Sequence, residues 1–107
     1  MTVGCYQESP SPDSEKALDL LILLLDDRDT LVRRNAVEAL GKIGDLRSKP
    51  MLLGKLDDPE PSVREAAARS LGWLPGLDPG TRSRLTMLLQ DDHTSVRQAA
   101  SQALNRN

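Results

Sequence analysis

Aligned on Val32, Val63 and Val96, three stretches of this chain agree at six positions. Leu25, Leu56 and Leu89 stand seven residues before the valines, and Asp27, Asp58 and Asp91 stand five before them. Arg33, Arg64 and Arg97 follow the valines directly. Ala36, Ala67 and Ala100 come four residues after, and Leu40, Leu71 and Leu104 eight after. The periods are 31 and 33 residues, and no gap interrupts the register. A repeat of this length is one supersecondary unit. Alone it cannot bury its apolar side, so copies must stack and share a continuous core.

The spacing inside each copy predicts two helices. Val, Ala and Leu at i, i+4 and i+8, with Ala39, Ser70 and Ala103 at i+7, form one face of a helix. Ahead of it lies a second apolar stripe: Leu18, Leu21, Ile22 and Leu25, then Leu52, Leu53 and Leu56, then Leu85, Leu88 and Leu89. An acidic turn joins the two helices of each copy. Asp29-Thr30, Pro59-Glu60-Pro61-Ser62 and His93-Thr94-Ser95 supply helix-start chemistry there. Gly44 and Gly76 are expected as left-handed ends of the second helices, with Asp45 and Asp78 opening the units that follow. Gly41 and Gly72 fall inside helical spacing, where glycine costs about 1 kcal/mol relative to alanine. The expected offset is a close approach by a neighbouring helix.

Composition agrees with thin helical layers. Aromatic residues make up 2% of the chain and phenylalanine is absent, whereas strands favour aromatic and β-branched side chains. The opening segment, with QESPSPDS at its centre, has little to bury and is expected to be a flexible arm over residues 1–13. Asp13 or Ser14 is then expected to cap the first helix. The folded part spans 14–107, with repeats over about 14–44, 45–76 and 78–107.

The pattern Leu-x-Asp-x4-Val-Arg-x2-Ala-x3-Leu-Gly resembles the short bacterial and archaeal HEAT-like repeat first noted in phycobilin lyases. The resemblance covers the chain from Asp13 onward. It implies an all-α, right-handed α-solenoid of three stacked antiparallel helix pairs. It also implies an alternative role as an accessory subunit or chaperone for bilin attachment to phycobiliproteins. It does not by itself imply lyase chemistry, because many proteins carrying the repeat are not lyases. The third copy departs from the pattern, with Asn105 where Gly41 and Gly72 stand.

No catalytic, metal or cofactor-binding residue is expected, and the chain is read as non-enzymatic. The acids Asp27, Asp58 and Asp91 recur identically, whereas catalytic carboxylates need environments that differ. With Arg33, Arg64 and Arg97 they are expected to form a structural ladder, each arginine bridging to the acid of its own or an adjacent copy. His93 is the single histidine and has no converging ligands. Cys5 is a lone thiol on the arm, without a partner base. With no internal disulfide available and no secretory signal pattern, a reducing cytoplasmic location is expected. The longest apolar run, Leu20–Leu25, is too short to cross a bilayer.

Nucleic acid is disfavoured as a partner. The net charge is −2, and charges on the second helices alternate in sign. Arg34 with Glu38 and Glu65 with Arg69 are i, i+4 pairs that neutralise each other. The expected partner is another protein, met by the second-helix face. Val37, Ala68 and Ser101 are taken as a shallow exposed strip, flanked by Arg34, Glu38, Glu65, Arg69, Gln98 and Gln102, with Trp73 as an aromatic addition. Trp73 has a competing structural role as a cover for the longer Pro75–Asp78 connection. The first helix is apolar nearly all round. Leu20, Leu23 and Leu24 there are expected to be covered by the arm, by a second copy in a homodimer, or by a different protein.

Overall fold

The computed structural model describes residues 12–106. Six α-helices follow in order: α1 (Pro12–Leu24), α2 (Thr30–Ile43), α3 (Lys49–Gly54), α4 (Pro61–Trp73), α5 (Pro79–Met87) and α6 (Thr94–Asn105). They pair as α1–α2, α3–α4 and α5–α6, one pair per repeat, and no strand occurs among the described residues. The all-α repeat architecture expected from the periodicity is therefore present.

Local chemistry sets the boundaries. Asp29, Asp45 and Asp78 each take a free amide at the following helix or turn, those of Leu31, Arg47 and Thr81 at 2.8, 2.9 and 2.7 Å. Pro61 and Pro79 open α4 and α5, where a missing N–H leaves nothing unpaired. The first helix of each later repeat is short. It tightens into a 3-10 turn at Lys55–Asp57 or Leu88–Gln90, which carries the core leucine of that copy into place. α1 begins at Pro12, so the cap expected on Asp13 or Ser14 falls inside the helix. Residues 1–11, Cys5 included, lie outside the described residues.

Gly44 does end α2 in the left-handed region at φ 72°, its amide donating to the Leu40 carbonyl. Gly76 is also left-handed, at φ 75°, but it does not cap α4. That helix stops at Trp73 and Leu74 is already extended, because the residue before Pro75 is pushed out of the helical region.

The core is a single row of small and medium apolar side chains. Leu40, Leu52, Leu56, Leu71, Leu85, Val63 and Val96 are all essentially inaccessible. Each such leucine or valine stabilises the fold by about 1.5–3 kcal/mol. The second helices, α2, α4 and α6, make the most extensive contacts, each with the next. The interior glycines explain how. A Cβ on Gly41 would lie 2.8 Å from the Ser70 Cα, and one on Gly72 would lie 2.9 Å from the Ala103 Cα. The backbones meet where those side chains are missing. Ser70 uses the proximity to donate its buried hydroxyl to the Val37 carbonyl at 3.0 Å.

Candidate functional site

Two features stand out as repeated or exposed. One is the ladder along the acidic turns and the other is the surface of α2, α4 and α6.

The ladder is staggered. Arg33 does not pair with the carboxylate of its own turn. Its Nη1 donates to the Asp27 backbone carbonyl at 2.9 Å, while Nε and Nη2 grip Asp58 of the next repeat at 3.0 and 3.2 Å. Arg64 repeats the arrangement, with Nη1 on the Asp58 carbonyl at 2.8 Å and Nε and Nη2 on Asp91 at 2.8 and 3.2 Å. Each guanidinium thus closes its own turn through the backbone and holds the following turn through a bidentate ion pair. The acids are equally occupied. Asp27, Asp58 and Asp91 accept the amides of Asp29, Glu60 and His93 at 2.9–3.0 Å. Those amides belong to the N-cap residues, so the acids shape the turn ahead of the helix and leave the helix's own first amides alone. The Arg64 guanidinium holds the Asp91 carboxyl below the usual carboxylate range, and Asp58 raises the Arg33 guanidinium. In the last repeat, Arg97 donates to the Asp91 carbonyl and the Thr94 hydroxyl, at 2.7 and 2.9 Å, and meets no carboxylate among the described residues.

On the second-helix surface, Arg34 lies 3.6 Å from Glu38, and Arg69 pairs with Glu65 as the spacing requires. Arg69 also reaches Glu38 on the neighbouring helix at 3.5 Å, a cross-repeat contact that the spacing within one helix does not reveal. Gln98, Ser101 and Gln102 are exposed. Val37 and Ala68 are not: both are fully buried, so the expected strip of small exposed residues does not exist. A stacked helix buries two sides, one against its partner in the repeat and one against the next repeat. Val37 and Ala68 lie on the second of these.

Trp73 is half-buried and walls a groove of about 370 Å³ at the end of α4 and α6, together with Arg69, Ala99, Gln102, Asn105 and Arg106. Arg106 donates through Nε to the Gly72 carbonyl at 3.2 Å and meets no carboxylate among the described residues. Sequence reasoning missed Ala99, Asn105 and Arg106, although Arg106 occupies the register of Trp73 and was legible from that. His93 is exposed and its Nδ1 lies 3.4 Å from Arg64.

On α1, Leu20 and Leu23 are exposed, at 57% and 74%, whereas Leu24 is partly buried against the core. Leu24 therefore contributes packing and less free surface than expected. No described helix is long and apolar enough to cross a membrane.

Residues 12–105 match a family described as HEAT repeats. The phycocyanobilin lyase subunit alpha of Nostoc sp. is 46% identical over 65 residues, covering 54% of this chain and 24% of that protein. Its counterpart in Picosynechococcus sp. is 39% identical over 67 residues, covering 56% of this chain and 25% of that protein. An uncharacterized phycocyanin operon protein Z of Pseudanabaena tenuis is 35% identical over 68 residues, covering 64% and 33%. The matched region spans no more than about a third of these curated relatives. The internal repeat, the paired helices and the match over nearly every described residue together make the chain a member of the HEAT repeat family.

Proposed function

We propose that this chain is a non-catalytic module that binds another protein through the face of α2, α4 and α6. Arg34, Glu38, Glu65, Arg69, Trp73, Gln98, Ser101 and Gln102 form the contact surface. The observation that carries this reading is the groove beside Trp73. A half-buried aromatic and a guanidinium that meets no carboxylate among the described residues line it, a combination enriched where binding energy concentrates. The acids, in contrast, are committed to turns and ion pairs, which supports scaffolding over proton transfer. Capture from the native host followed by mass spectrometry tests it. The expected result is a partner retained by the native chain and lost with Trp73→Ala and Arg106→Ala. Retention by both variants overturns this choice of face.

A second reading, participation in bilin attachment within the cytoplasm, rests on the relatives that are named phycocyanobilin lyase subunits. Co-expression with a bilin source and a phycobiliprotein tests it. The expected result is pigment on the acceptor that depends on this chain, and unchanged absorbance overturns it. The exposed Leu20 and Leu23 support a further contact on α1, with a second copy or a different protein as the cover. Light scattering of Leu20→Lys with Leu23→Lys against the native chain tests self-association there.

A further inference from the structure

The seams between neighbouring second helices differ in charge. At the seam of α2 and α4 the chain supplies its own carboxylate. Glu38 stands there between two guanidinium groups, Arg34 at 3.6 Å and Arg69 at 3.5 Å. At the seam of α4 and α6 the residues in the registers of Glu38 and Arg69 are Arg69 and Gln102. The groove at this second seam is walled by Arg69, Trp73, Gln102, Asn105 and Arg106 over buried alanines, and no acid lines it among the described residues.

Its two cations are not equivalent. Arg69 is neutralised, since Glu65 of its own helix and Glu38 of α2 both hold it. Arg106 gives Nε to the Gly72 carbonyl at 3.2 Å, and its Nη atoms meet no acceptor among the described residues. A guanidinium carries more donors than that bond uses. The bond fixes the head group at the groove wall, which lowers the cost of ordering it on a ligand. Beside it Trp73 offers a half-buried ring, and Gln102 and Asn105 offer amides that pair with either side of a peptide bond. A carboxylate fits the guanidinium fork, and it is the group the chain itself places at the preceding seam.

We propose that the groove between α4 and α6 docks an acidic peptide segment of a partner protein, with one carboxylate against Arg106 and the neighbouring residues on Trp73. This rests on the reading of the second-helix surface as a protein-binding face, and it names the chemistry of what that face takes. The test is a phage-displayed library of random linear peptides, selected on the native chain and counter-selected on Trp73→Ala. Retained peptides are synthesised with a fluorescent label and titrated against variants whose folding circular dichroism has checked. Asp and Glu are expected in them at least about threefold above the library's frequency. Gln102→Glu, which places a carboxylate in the groove, should weaken binding at least about tenfold, and so should Arg106→Gln, with Arg106→Lys recovering part of the loss. Ser83→Glu makes the same change of charge on the exposed surface of α5 and should leave affinity within about twofold. Retained peptides without the acidic excess, or indifferent to Gln102→Glu, overturn the acidic partner and leave the face standing. A loss with Ser83→Glu as large as that with Gln102→Glu does the same, because the effect is then one of net charge. A library that returns no Trp73-dependent peptide overturns the face and the proposal together. A labelled oligothymidylate that binds the groove more tightly than every retained peptide overturns the proposal in favour of nucleic acid.

Discussion

The second helices and the first helices of this stack meet their neighbours by different means. Along α2, α4 and α6 the chain removes side chains: Gly41 against Ser70, Gly72 against Ala103, and a run of buried alanines at Ala66, Ala67 and Ala68. Along α1, α3 and α5 it adds bulk, with leucines that project into the core from helices as short as Lys49–Gly54. The first layer is therefore tolerant at its outer surface, where Leu23 and Met87 stand exposed. The second layer is set by backbone approach and tolerates almost no growth. One repeat thus holds both a strict interface and a permissive one. Proteins tighten by subtraction as readily as by filling.

The comparison breaks most visibly at a buried leucine. Leu71→Ala, inside the second layer, should destabilise by about 2–5 kcal/mol through lost burial and the cavity left behind. Leu23→Ala on the outer layer should stay within about 0.5 kcal/mol. Urea denaturation measures both, and equal losses would mean the outer layer is as ordered as the inner. The next contrast uses one substitution in two places. Gly41→Ala should cost about 1–3 kcal/mol, since its Cβ meets Ser70. Gly54→Ala, with nothing within 4 Å, should stabilise by up to about 1 kcal/mol from helix propensity. Opposite signs in thermal melts sharpen the distinction and like signs remove it.

The ladder supplies a test of similar size. Arg64→Ala leaves the Asp91 carboxylate and the Asp58 carbonyl short of a donor, and should destabilise by about 1–3 kcal/mol. Arg34→Ala breaks only a half-exposed pair and should cost a few tenths of a kcal/mol. Indistinguishable melts would leave the ladder without energetic weight.

The smallest effect concerns pH. Arg64 lowers the Asp91 carboxyl. Arg47 lowers Asp45 to about 2, and Lys49 lowers Asp78 to about 2. An acid whose folded pKa is depressed binds its proton more readily unfolded, so its contribution is present above the unfolded value near 4 and is lost as pH falls toward 2. Stability should be flat above about pH 5 and decline below about pH 4. Asp78→Asn should shallow that decline. A native chain equally stable at both ends of the range would contradict the shifts.

Much of this was legible in the letters. Six positions in fixed register carry the helix pairs, and the cost of glycine inside a helix pointed to the close approach at Gly41 and Gly72. The direction of the ladder was not legible. A period fixes where Arg33 lies within its own repeat, but not how far one repeat is offset from the next, so Asp27 and Asp58 were equal candidates. Val37 and Ala68 were misplaced for a related reason. A single helical wheel has one buried face, while a stacked helix has neighbours on several sides. The Trp73 groove was half legible: the register aligned Trp73 with Arg106, but only the packing of α4 on α6 made them walls of one space.

The staggered rung also bears on how such a chain can lengthen. Every repeat carries one guanidinium directed forward and one carboxylate directed back, and neither finds its charge partner inside the unit that encodes it. A lone ancestral copy would have had no complete rung. The first tandem duplication would have created one at once, with no point mutation, because donor and acceptor were already present on opposite edges. Each later duplication adds another on the same terms. Lineages of this architecture can therefore gain or lose whole units more easily than they can alter the interior of one.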